Sequence, residues 1–313
     1  MSAVVVRTSP RSAPGLLSWP AWQALRSAPV LVADPAHAQV AALREAGVPV
    51  EVVAPDAVAA RAADGDLVWL AADGDDLPAG LSGAPVVVGS YDLPGARLLD
   101  VVAVMDRLRS PGGCPWDAAQ THASLRPYLL EEAYEAYQAL EDDDPVALRE
   151  ELGDVLLQVA FHARLAEEAE PAWSVDDVAG DLVDKLVRRH PHVFAGGPAD
   201  DLEATWDALK AAEKGRTSVT EGVPMGQPAL SLARKLQQRG TRLGAPVPAY
   251  EGPGGELWDL VRRCREQGLD PEVELRNVAR RYRDALAAAE RAARDDGADP
   301  AALDGEGWAA RWT

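Results

Sequence analysis

Two pairs of carboxylates, Glu132 with Glu135 and Glu151 with Asp154, stand at i, i+3 spacing on either side of an acidic turn. The stretch that carries them, YLLEEAYEAYQALEDDDPVALREELGDVLL at 128–157, has the periodicity of two helices in an antiparallel hairpin. Advancing about 100° per residue from Glu132 gathers Leu129, Leu130, Ala133, Ala136, Tyr137 and Leu140 near roughly 100° and leaves Glu135 near roughly 300°. From Glu151, the residues Leu148, Leu152, Val155, Leu156, Val159 and Ala163 gather near roughly 90°, with Asp154 near roughly 300°. Equal offsets from two facing apolar stripes place both pairs on the same side of the helix layer. Each pair lies about eight residues, or roughly 12 Å, from the turn. Asp144 as N-cap and Pro145 at the first helical position help to fix that turn. The spacing predicts four carboxylates converging on one patch.

Such convergence is costly by itself. Like charges one turn apart cost a few tenths of a kcal/mol in an exposed helix, and partly buried ones cost far more or stay protonated. A bound divalent cation removes the conflict, and all-oxygen ligation without His or Cys suits Mg²⁺ or Mn²⁺. Glu132, Glu135, Glu151 and Asp154 are the predicted metal ligands. Periodicity alone leaves a solvated acidic face open, and Glu131, Glu141 to Asp144 and Glu150 are read as such solvated charges. A di-iron bundle requires Glu-x-x-His motifs, and no His follows a Glu by three residues. His162 is expected to be a core residue or a support for the ligands.

The elements that must position these groups belong to a mainly α chain. Residues 1–97 are predicted to form a small α/β accessory domain, with strands at 28–34, 48–53, 66–72 and 84–90 and a helix at 36–47. No GxxxxGK[ST] or GxGxxG follows any of these strands. From Leu98 the pattern turns helical: 98–220 is assigned to the helical bundle that holds the carboxylates, and 221–313 to a further helical region. Helices are expected at about 124–141, 145–168 and 174–190. Trp116, in the GCPWD loop, is expected to pack rather than to line a pocket.

Bulk properties narrow the partners. A formal charge of −19 argues against a nucleic-acid-binding surface. Two cysteines, Cys114 and Cys264, lie far apart and suit a reducing compartment. No run approaches the roughly 20 apolar residues needed to span a bilayer. A cytoplasmic location with no membrane partner is therefore expected.

The segments GCPWD, QTHASLRPYLLEEAYEA, REELGDVLLQVAFHARLA and DKLVRRHPHVFA together resemble the MazG family of nucleoside triphosphate pyrophosphohydrolases over about residues 100–215. Glu131-Glu132-x-x-Glu135 and Glu151-x-x-Asp154 match its EExxE and ExxD pattern. The resemblance implies an all-α MazG-type bundle and Mg²⁺ on Glu132, Glu135, Glu151 and Asp154. It also implies phosphate and nucleotide contacts by Lys185, Arg189, Trp206 and Lys210. Lys185 and Arg189 are four residues apart on one helix face, as are Trp206 and Lys210. A Trp beside a Lys can stack a base while the amine takes a phosphate oxygen. The implied reaction converts an NTP or dNTP, including damaged ones, to the monophosphate and pyrophosphate; a non-catalytic nucleotide-binding scaffold is the alternative. PALSLARKLQQRGTRLG and GELWDL look like remnants of a second copy, with Glu256-x-x-Asp259 retained and no EExxE before it. Residues 1–97 faintly resemble a shortened tetrapyrrole-methylase domain. Two helices of one copy leave the carboxylate layer uncovered, so a homodimer is expected.

Overall fold

Val30–Val32 and Leu67–Ala71 are almost fully shielded from solvent on both faces, as continuous apolar runs in a covered parallel sheet should be. The computed structural model describes residues 3–196 and 218–312. Two compact units are present, Met1–Arg188 and Arg189–Thr313. In the first, strands β1 (Ala3–Thr8), β2 (Val30–Val32), β3 (Val50–Val52), β4 (Leu67–Ala72) and β5 (Val86–Val88) form one parallel sheet in the order β3-β2-β4-β1-β5. Helices α1 (Trp19–Leu25) and α2 (Val40–Glu45) cover one face, where Ala21, Leu25 and Leu43 meet Val6, Val68 and Leu70. Helix α3 (Val58–Asp64) covers the other, through Val58 against Val5, Leu31 and Trp69. The α/β layer expected before residue 97 is there. Its interior strand β1 and its helices α1 and α3 were not among the elements assigned from the pattern.

The chain then becomes helical, through α4 (Arg97–Arg109), α5 (Pro115–Ala119), α6 (His122–Glu141), α7 (Pro145–Ala166) and α8 (Val175–Arg189). Arg11, in the loop after β1, ties the sheet to α4. Its Nε donates to Asp100 at 2.8 Å and its Nη1 to Asp92 at 2.6 Å. That guanidinium holds the Asp100 carboxyl below the ordinary carboxylate range. A small core of Met105, Leu125, Phe161 and Leu165 joins α4, α6 and α7 at the open end of the α6–α7 hairpin. The loop between α4 and α5 folds back so tightly that a Cβ on Gly113 would lie 2.2 Å from the Leu108 carbonyl oxygen. Only glycine fits there.

Arg109 braces the same end. It is almost buried, with 8% of its side chain exposed. Its Nε and Nη2 meet both carboxylate oxygens of Glu168, at 2.8 and 2.9 Å, and Nη1 donates to the Asp117 and Gln120 carbonyls at 2.6 and 3.3 Å. One guanidinium thus joins the end of α4, the α5 turn and the residues just after α7.

The second unit contains helices Ala229–Arg242, Gly252–Glu266 and Pro271–Asp295. Their contacts include the buried Val261, Ala289 and Ala293, and Gln237 donates to the Trp258 carbonyl at 2.9 Å. Among the described residues, no helix is long and apolar enough to cross a membrane.

Hydrogen bonds to charged groups contribute roughly 1.5–3 kcal/mol each, and lysine cannot reproduce the planar fork. Arg109→Ala should therefore cost about 2 kcal/mol or more in chemical denaturation, and Arg109→Lys should recover less than half of that loss.

Candidate functional site

The hairpin is held at both ends. Thr121 caps α6 by accepting from the Ser124 amide at 3.1 Å, and the Ser124 hydroxyl accepts from the Thr121 amide at 2.9 Å, a reciprocal capping box. At the other end Asp143 takes φ 52°, left-handed for a non-glycine residue. This lets the Asp144 amide reach the Ala139 carbonyl at 3.1 Å and the Asp143 amide reach the Leu140 carbonyl at 3.4 Å. That is the Schellman arrangement, with aspartate in the position glycine usually fills. Asp144 then caps α7, its Oδ1 accepting from Val146 and Ala147 at 2.9 and 3.0 Å. The Asp-Pro junction acts as its sequence suggests.

Between the capped turn and the core, oxygens of Glu132, Glu151 and Asp154 lie within 4.8 Å of one another, each residue half-buried. Glu135, one turn from Glu132, is exposed and falls outside that trio. Its charge nevertheless acts on both glutamates. Desolvation, then Asp154 and Glu135, push the Glu132 carboxyl above the ordinary range. Desolvation, then Glu135 and Asp154, do the same to Glu151. Among the described residues no Lys, Arg or His pairs with any of the four. A cluster of hard oxygens carrying uncompensated charge is a set that could hold a divalent metal ion.

The packing around the trio differs from the predicted facing stripes. Ala136 and Ala139 lie buried in the seam, whereas Leu130, Leu140 and Leu152 are 58%, 62% and 53% exposed. The two helices meet through small side chains, which turns the larger apolar residues to the uncovered face. Helix α8 shows the same feature, with Leu182, Val183 and Val187 exposed. Lys185 and Arg189 stand one turn apart near the end of α8, both half-buried. Trp206 and Lys210 lie outside the described residues. Trp116, expected to pack, is 53% exposed and sits edge-on to Tyr128.

One neighbour had no sequence signal. His122, the first residue of α6, stacks on His162 with ring centroids 5.1 Å apart and Nδ1 atoms 2.8 Å apart. One ring must donate and the other accept. His162 is therefore engaged at the open end of the hairpin, and desolvation followed by His122 lowers its pKa. It does not join the carboxylates.

Residues 120–194 match the model of the MazG nucleotide pyrophosphohydrolase domain. The chain is 39% identical over 215 residues to "Nucleoside triphosphate pyrophosphohydrolase/pyrophosphatase MazG" of Thermotoga maritima, covering 60% of this chain and 83% of that protein. The chain belongs to the MazG family. Over 210 residues it is also 55% identical to "Uncharacterized 26.1 kDa protein in blaB 3'region" of Streptomyces cacaoi, covering 64% of this chain and 86% of that protein. To "Nucleoside triphosphate pyrophosphohydrolase" of Mycobacterium tuberculosis it is 44% identical over 214 residues, 67% of this chain and 63% of the relative.

Within this MazG chain the ExxD pattern occurs in two electrostatic settings. Asp154 stands among other carboxylates. Asp259 of the second unit accepts from Arg262 at 2.6 and 2.9 Å and also pairs with Arg263. The hydrogen bond from Arg262 leads in lowering its pKa. Glu256 is exposed. Asp259 is already neutralised by side chains; the α6–α7 cluster is not.

Replacing a charge in the cluster by an isosteric amide should relieve repulsion. In the presence of a chelator at neutral pH, Glu151→Gln should raise the thermal midpoint above that of the parent. With excess Mg²⁺ the order should reverse, because only the parent gains from the ion. Differential scanning fluorimetry under the two conditions checks both signs.

Proposed function

We propose that this chain hydrolyses nucleoside triphosphates to the monophosphate and pyrophosphate with Mg²⁺, Mn²⁺ being an alternative, held by Glu132, Glu135, Glu151 and Asp154. The observation that carries this reading is the convergence of Glu132, Glu151 and Asp154 with Glu135 acting on two of them. When bound, the cation offsets phosphate charge and makes water a better nucleophile at neutral pH. The hairpin residues orient the reacting phosphate by fixing where that positive charge can sit. Lys185, Arg189 and Lys210 hold the phosphate tail, and Trp206 stacks on the base. A carboxylate of the cluster, Glu132 or Glu135, takes the proton of the attacking water. The activities named for the Thermotoga and Mycobacterium relatives support the reaction.

The catalytic part is assigned to 98–220, with 1–97 as an accessory α/β domain and 221–313 as a degenerate second copy. The double pairing of Asp259 supports the last assignment. The uncovered apolar face of α6, α7 and α8 supports a homodimer. Normal and damaged nucleotides are both within the substrate class, nucleic acid is not a partner, and the setting is cytoplasmic.

Pyrophosphate release in Mg²⁺ should fall by about 100-fold or more in Glu135→Ala, equivalent to about 3 kcal/mol of lost transition-state stabilisation. Equal rates for parent and variant, or orthophosphate as the sole product, would overturn the reading. In contrast, Glu256→Ala combined with Asp259→Ala should leave turnover per folded chain within about twofold of the parent, a difference of under half a kcal/mol.

A further inference from the structure

Tyr128 stands on the acidic side of α6. On the angular scale that sets Glu132 at zero it falls near roughly 320°, between Glu132 and Glu135 and away from the apolar side near roughly 100°. It lies one turn, about 6 Å of helix axis, from Glu132. Trp116 meets it edge-on, with ring centroids 6.2 Å apart and planes at 72°. Trp116 is 53% exposed and Tyr128 40%. Aromatic rings left open in this way forgo hydrophobic free energy until something covers them.

The loop that presents Trp116 is nonetheless fixed on both sides of that residue. Gly113 turns it back against Leu108, whose carbonyl accepts from the Cys114 amide at 2.7 Å. Arg109 donates to the Asp117 carbonyl at 2.6 Å, and Gln120 Nε2 donates to the carbonyl of Trp116 itself at 3.0 Å. Packing does not account for this bracing, because about half of the side chain it positions faces outward. The polar edges are open too: among the described residues neither the indole N–H of Trp116 nor the hydroxyl of Tyr128 has a hydrogen-bond partner. At the same level of α7, one turn past Asp154, Gln158 is 4% exposed and its Oε1 is buried without a partner among the described residues. A fixed ring face, free donors and an unpaired acceptor suit a planar heterocycle with a polar edge.

We propose that Trp116 and Tyr128 form the base-recognition corner of the carboxylate site: the base of a nucleoside triphosphate stacks on the indole and turns its edge to the Tyr128 hydroxyl, while its phosphates reach the cation one turn away. This rests on the hydrolase reading of that site and adds a second aromatic contact beside the one assigned to Trp206. A base fits the corner better than another protein surface does, because the pair lies on the carboxylate side of α6, away from the uncovered leucines, and keeps its polar edges free.

Two probes separate base from phosphate: the α,β-methylene analogue of ATP, which resists cleavage at the bond in question, and inorganic tripolyphosphate, which has no base. Both are titrated with Mg²⁺ into the full chain by calorimetry. Trp116→Ala should weaken the analogue about tenfold or more and leave tripolyphosphate within about twofold of the parent. Trp116→Phe, which keeps a ring face, should stay within about threefold for both. With ATP as substrate, Trp116→Ala should raise KM about tenfold while kcat stays within about threefold, whereas Glu135→Ala lowers kcat. The analogue should also quench tryptophan emission of the parent, and Trp116→Phe should remove part of that quenching, a reading of the ring that holds even if the alanine variant misfolds. Parental affinity for the analogue in Trp116→Ala would overturn the proposal. So would equal loss of both probes by a variant with parental circular dichroism, or a change of oligomeric state, which would make the pair a subunit contact. Analogue binding that depends on Trp116 in a parent that releases no pyrophosphate would uphold the corner and overturn the hydrolase reading instead.

Discussion

Three carboxylates brought within 4.8 Å of one another, with no cationic side chain among the described residues to offset them, set the energetic problem that the α6–α7 hairpin has to solve. The solution is rigidity supplied from elsewhere. Each buried apolar side chain of the Met105, Leu125, Phe161 and Leu165 core contributes about 1.5–3 kcal/mol, and together they offset the repulsion among the half-buried carboxylates. Packing wins, and the hairpin forms with its charges opposed. The core sits at one end and the Asp142–Asp144 turn at the other, so the carboxylates lie where neither end can splay. Strain of this kind is what a cation site in waiting requires, since a preorganised set of oxygens needs little rearrangement to accept an ion.

The contrast with Asp259 shows that the sequence pattern alone does not create this condition. There an aspartate with a glutamate three residues before it is satisfied by Arg262 and Arg263 on its own helix. A carboxylate whose charge is balanced by i+3 and i+4 guanidinium groups gains little from a metal ion. Around Asp154 the equivalent C-terminal positions are Leu157 and Gln158, neither of them charged, so the balance has to come from outside the helix.

Much of the hairpin was legible before any coordinates, because its features are local. Helical period, an Asp-Pro junction and equal offsets of two acidic pairs are all properties of 30 consecutive residues; of the four carboxylates they bring to one patch, Glu132, Glu151 and Asp154 lie together and Glu135 stands exposed outside the trio. Features that depend on distant contacts escaped. Strand β1 pairs with β4, some 60 residues away, and its AVVVRT run lacks the alternation that marks a half-exposed strand. The facing stripes were drawn too wide, since periodicity identifies an apolar side but not which of its members touch. Ala136 and Ala139 occupy the seam, and the leucines beside them do not. The partnership of His122 with His162 depends on how the ends of two helices meet, a tertiary fact without a spacing rule. Trp206 and Lys210 lie outside the described residues, so their placement rests on family resemblance alone.

The central claim is that the charges of Glu132, Glu151 and Asp154 are arranged to share a cation. Crystals soaked in Mn²⁺ and measured at an energy where manganese scatters anomalously test it most directly. The account predicts a strong anomalous peak within bonding distance of oxygens from at least two of these three residues, absent from crystals of the Glu132→Gln variant. Manganese bound only elsewhere, or the three side chains turned apart with water between them and no peak, would contradict it.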